Sequence, residues 1–109
     1  MTTHHNPYEP VEVRGSKVSA DDLYVLIQRY WIRVGKVDRR QNSYYVECSE
    51  IDPAAWTRIR DAYNHNGTVR VRVGNHVSTS EVVVNRDADV NYLLWFYPKS
   101  SSGLLWFWS

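Results

Sequence analysis

At 109 residues the chain can bury one hydrophobic core and lacks the material for a second, so a single domain is expected. Its 13 basic and 12 acidic side chains leave a formal charge of +1, which excludes the global electrostatic pull of a strongly basic nucleic-acid binder and confines any basic site to a local patch. No apolar run approaches the ~18–20 residues that span a bilayer, which argues against a membrane protein.

Residues 1–10 are polar and carry two prolines, the composition of a flexible N-terminal arm ahead of a domain over 11–109. The opening Met1-Thr2-Thr3-His4-His5-Asn6-Pro7 has neither the basic start nor the apolar stretch of a secretory signal, so cytoplasmic residence is expected. Val11-Glu12-Val13-Arg14-Gly15 alternates apolar with charged residues and stops at a glycine, which predicts a short, half-exposed strand.

The stretch from Ser19 to Val37 carries two signals. Ser19 as N-cap, Asp21 and Asp22 as first-turn acids, and Leu23, Leu26, Ile27 and Tyr30 at i, i+3, i+4 and i+7 predict a helix near 20–29. The same stretch is rich in Tyr, Val, Ile and Trp, and from Tyr30 onward Ile32 and Val34 alternate with Trp31 and Arg33, which predicts a strand over 30–37. The polar Asp38-Arg39-Arg40-Gln41-Asn42 forms a turn and residues 43–49 resume strand composition, so 30–49 reads as a hairpin. Within it lies the single cysteine, Cys48, which cannot close an internal disulfide and in so apolar a setting acts as a small hydrophobe.

Asp52-Pro53 starts a helix, because Asp is a preferred N-cap and Pro at the first helical position gives up an amide that has no partner there. Ala55, Trp56, Ile59, Ala62 and Tyr63 form its apolar stripe, and Asn66-Gly67 supplies a left-handed stop. Val69, Val71 and Val73 then alternate with Thr68, Arg70 and Arg72 in a half-buried strand, Gly74-Asn75 turns the chain, and residues 77–84 supply the partner strand.

The tail holds two apolar runs, 92–97 and 104–108, separated by a loop of hairpin length. Each is apolar on both faces, whereas a strand with one face in water alternates, so both faces need cover. With 8 Tyr and 5 Trp in the chain, the expectation is a homo-oligomer interface or a docking surface for a protein partner. Its contact residues are Trp95, Tyr97, Leu104, Trp106, Phe107 and Trp108, with the tryptophans as anchors. The alternatives are a curled or barrel-like sheet that takes all of these residues into one core, and a membrane-surface role, against which Lys99 stands as the only nearby charge.

The runner-up is nucleic-acid binding through Arg33, Lys36, Arg39, Arg40, Arg70 and Arg72. Arg70 and Arg72 share one side of their strand, and Tyr44 or Tyr45 on a neighbouring strand would complete a basic, aromatic platform for single strands. The plainer reading is a solvated face whose arginines pair with Glu47, Glu50 and Glu81.

Catalysis has the weakest basis. Asp61 and His65 lie four apart on the second helix, but a histidine near a helix C-terminus is favoured by the macrodipole alone. No nucleophile spacing surrounds Cys48, His76 or the serines at 100–102, so no catalytic residue and no enzymatic activity are assigned. His4-His5 has no second ligand pair at zinc spacing and the glycines occur singly, so neither metal nor cofactor is implied. The fold expected is α+β, a mainly antiparallel sheet of about six strands with two short helices, in the order β, α, β, β, α and four strands.

Overall fold

Strand-type alternation prevails over helix-type spacing in the first half of the chain. The computed structural model describes residues 12–13 as backbone, and 21–87 and 91–99 in full. Within them lie β1 (Glu12–Val13), β2 (Asp22–Ile27), β3 (Tyr30–Arg39), β4 (Tyr44–Cys48), α1 (Pro53–Asn64), β5 (Val69–Val73), β6 (His76–Arg86) and β7 (Tyr92–Pro98). The N-terminal arm expected over residues 1–10 and the apolar run 104–108 lie outside the described residues.

The helix expected over 20–29 is instead the strand β2. Leu23 and Val25 point into the core and are fully buried, and Tyr24 between them is buried on the opposite face. A two-residue turn at Gln28-Arg29 folds β2 back onto β3 in antiparallel register from Ile27↔Tyr30 to Asp22↔Lys36. Asp22, expected in a helix first turn, forms an ion pair with Arg33 at 2.9 Å. The spacing of Leu23, Leu26, Ile27 and Tyr30 fits a helix, but only the strand lets Leu23 and Val25 meet β3 and β5 together, and tertiary pairing overrides the local signal.

The strands run β3-β2-β5-β6-β7-β4, and β4 returns to pair with β3, so six antiparallel strands close a barrel. The chain builds it from two three-stranded meanders, β2-β3-β4 and β5-β6-β7, with α1 between them. β1 lies outside the ring, parallel to the start of β3. Among the described residues the class is therefore a β-barrel with one helix, not an α+β sheet with two. Closure leaves the six barrel strands without a continuous free edge.

Val25, Val34, Val46, Val71, Leu94 and Phe96 fill the interior, and Ala55, Ile59 and Ala62 of α1 join the same core. The helix begins as its sequence dictates, with Asp52 Oδ1 accepting from the amides of Ala54 at 2.8 Å and Ala55 at 3.4 Å. It ends in a Schellman arrangement: the Gly67 amide donates to the Ala62 carbonyl at 2.8 Å and that of Asn66 to Tyr63 at 3.4 Å. Asn66 is the left-handed residue, at φ 55°. β5 pairs with β6 only as far as Ser80, and α1 packs mainly against β6.

Candidate interaction face

Register in β7 decides which aromatic side chains are internal. β7 pairs with β6 along one edge and with β4 along the other. Leu94 and Phe96 point inward and are fully buried, while Leu93 and Trp95 remain half-buried and Tyr97 exposed on the outside. The run is apolar on both faces because its inner half belongs to the core and its outer half forms a surface. Of the expected contact set, Trp95 and Tyr97 stand on that surface; Leu104, Trp106, Phe107 and Trp108 lie outside the described residues.

Cross-strand pairing aligns Val83 of β6, Trp95 of β7 and Tyr45 of β4 in one outer row, with Tyr97 opposite Glu81 beside it. The rings of Tyr45 and Trp95 are 4.9 Å apart and tilted by 40°. Arg40 caps the row, its guanidinium 4.4 Å from the Tyr45 centroid, within cation–π range. The Tyr45 hydroxyl donates to Glu47 at 3.3 Å.

At its other end the row opens into a groove of about 370 Å³. Ala62, Tyr63, Asn66 and Gly67 of α1 and its C-terminal turn form one wall, and Glu81, Val82, Val83 and Tyr97 form the other. Tyr63 is 42% exposed, Val83 38% and Tyr97 41%. Among the described residues only Tyr30 and Val77 are comparably exposed large hydrophobics, so this exposure is concentrated in one place.

In the sequence Tyr63 falls on the apolar stripe of its helix, Val83 has no role beyond its strand, and Tyr45 stands only as a companion of arginines. The signal for Tyr63 was its place at the margin of the stripe. Val83 and Tyr45 carry no local signal, because only strand register places them beside Trp95.

The basic residues divide into two groups. Around the barrel, β5 and β4 are separated by two strands in either direction, so Arg70 and Arg72 stand on the far side from Tyr45. Tyr44 packs against the core. Arg72 lies across β2 from Arg33, both in register with Tyr24; its Nε donates to the Gly74 carbonyl at 2.9 Å. Arg33 is held by Asp22, whose hydrogen bond raises the guanidinium pKa further. Lys36 also lies opposite Asp22, and Arg70 is exposed on the outer face of β5. Arg39 and Arg40 belong to the β3–β4 hairpin, where Arg40 pairs with Asp38 at 3.1 Å.

Asp61 and His65 do meet, at 3.3 Å, with side chains 65% and 74% exposed. Such an open pair suits helix-surface electrostatics. Cys48 is half-buried, and burial pushes its thiol pKa up; Glu47 adds to the rise and Arg33 opposes it. Among the described residues no three His, Cys, Asp or Glu side chains converge on a metal-sized site, and no helix is long and apolar enough to cross a membrane. Comparison of the chain with protein-family models, curated proteins and solved structures gives no significant match.

Proposed function

We propose that this chain is a non-enzymatic interaction or assembly protein that works by protein–protein contact through the outer face of β4, β7, β6 and α1. The observation that carries this reading is the gathering of Tyr63, Val83 and Tyr97, all exposed, around one groove that continues into the Trp95–Tyr45 row. Contiguous apolar surface rimmed by polar groups is the usual mark of a contact site, and Tyr, Trp and Arg are the residue types that carry most interface energy. Trp95, Tyr45, Tyr97 and Arg40 supply all three.

The nucleic-acid reading has less support. Arg33, Arg40 and Arg72 each have a protein partner, and the aromatic row is flanked by Asp38, Glu47 and Glu81, which repel phosphate.

The test is a chain carrying Val83→Lys and Tyr97→Lys, compared with the native chain by light scattering over a tenfold concentration range. Self-assembly through the face gives a native mass above 12.8 kDa that returns to the monomer value in the variant. If the native chain stays monomeric, its contact is with a different protein. Any partner that binds the native and doubly substituted chains equally well overturns the reading.

A further inference from the structure

Tyr63, Val82, Val83 and Tyr97 line the groove beside Asn66, and its one charged residue, Glu81, is paired with Lys99 at 3.5 Å. An anionic ligand would be repelled by Glu81 and a cationic one would have to compete with Lys99 for it, so an uncharged ligand fits best. The volume of about 370 Å³ is at the small end of ligand clefts, roughly 300–1,000 Å³, and suits an aromatic side chain with its backbone lying across the opening. The matching chemistry is a short uncharged segment bearing Trp, Phe or Leu.

Such a segment follows directly in the chain. Residues 100–109 contain no charged side chain, and Leu104, Leu105, Trp106, Phe107 and Trp108 form an unbroken apolar run after Ser-Ser-Ser-Gly. The point from which it departs is fixed beside the groove. The Lys99 amide donates to the Thr79 carbonyl at 2.7 Å, and Thr79 and Val83 are four residues apart on β6, about 14 Å at roughly 3.4 Å per residue. The four spacer residues reach about 13 Å when extended, a length that would let the run reach Val83 and Tyr97 after a reversal of the chain. Both edges of β7 are already paired, so a segment docking on this face would do so through side chains and not as an added strand. So short a tether gives an effective concentration in the millimolar range, which favours the chain's own segment over a second copy's.

We infer that residues 104–108 of the same chain occupy the groove between α1 and the β6–β7 face. This rests on reading that face as a protein-contact surface, and it defines how the surface is regulated: a partner must displace the tail with a segment of like chemistry. A second copy can do so by exchanging tails, a low-cost route to a dimer.

The experiment is NMR on the isotopically labelled full chain at the lowest workable concentration. Expected are NOEs from the Val83 methyl groups to an indole ring of Trp106 or Trp108, with ring-current shifts of those methyls that disappear in the Trp106→Ala, Trp108→Ala chain. Amide shifts in β2 and β3 report whether that variant keeps its fold, and the native NOEs decide the matter if it does not. NOEs seen only between labelled and unlabelled chains in a mixed sample would overturn intrachain docking in favour of exchange. Random-coil shifts over 104–108 with no such NOE overturn the tail assignment altogether. If Val83 and Tyr97 then still shift on binding a protein, the contact surface stands without its tail; if no protein shifts them, both readings fall.

Discussion

Gly35 and Val46 meet inside the barrel with no room between them for a side chain: a Cβ at position 35 would stand 2.8 Å from Val46 Cγ1 and 3.4 Å from Cys48 Cβ. The approach follows from a bulge, since Leu23 pairs with Gly35 and Tyr24 with Arg33, leaving Val34 as the extra residue of β3. Gly35→Ala is expected to cost about 1–3 kcal/mol, the range for overpacking a filled core, read from urea denaturation. Combining it with Val46→Ala should cost less than the sum of the two single changes, because the second removes the methyl that the first strikes. Simple additivity would show that the two side chains do not compete for one space.

The β2–β3 turn stores strain at Gln28, whose φ of 57° lies in the left-handed region. A non-glycine residue there costs on the order of 1 kcal/mol, which glycine avoids. Gln28→Gly should therefore raise the denaturation midpoint. A lower midpoint would mean that the Gln28 side chain contributes more than its backbone loses.

Neighbouring residues on β7 should respond very differently to truncation. Phe96 is fully buried among core side chains, so Phe96→Ala is expected to cost about 3–5 kcal/mol. Trp95 is half-buried and faces outward against Tyr45, and Trp95→Ala should cost less than Phe96→Ala, the aromatic pair contributing about 0.5–1.5 kcal/mol beyond the area it buries, while removing binding through the outer row. Denaturation curves for both variants check the order; the reverse order would place Trp95 in the core.

Cys48 gives a pH test. Burial raises its thiol pKa, so alkylation should be slower than that of an unstructured thiol and gain speed only above the ordinary value of about 8.5. The stability effect has a definite sign. An acid whose folded pKa exceeds its unfolded one contributes stability fully below the unfolded value and loses it as pH rises through the folded one. The native chain should lose more stability on the alkaline side than Cys48→Ala, measured by urea denaturation at pH values on either side of the thiol range.

Much of the fold was legible because several signals act within a few residues. Asp52-Pro53 and Asn66-Gly67 bound α1 where the sequence places them, since capping is satisfied by atoms already adjacent in the chain. Gly74-Asn75 marks the β5–β6 turn, and Gly74 indeed adopts a positive φ of 60°. The β2–β3 turn uses Gln28-Arg29, with neither glycine, asparagine nor proline to announce it, so the first strand of the hairpin reads as a helix.

The sequence by itself determined one small domain, the helix that starts at Asp52-Pro53, most strands and an aromatic content high enough to need a use. Only the tertiary structure decided that the sheet closes, that β5 lies opposite β4 and so separates Arg70 and Arg72 from Tyr45, and that Tyr63, Val83, Trp95 and Tyr97 share one face. The physical reason is distance along the chain. Caps and tight turns are settled by neighbouring atoms, whereas strand order and the composition of a surface depend on which remote segments give each other's apolar faces a partner.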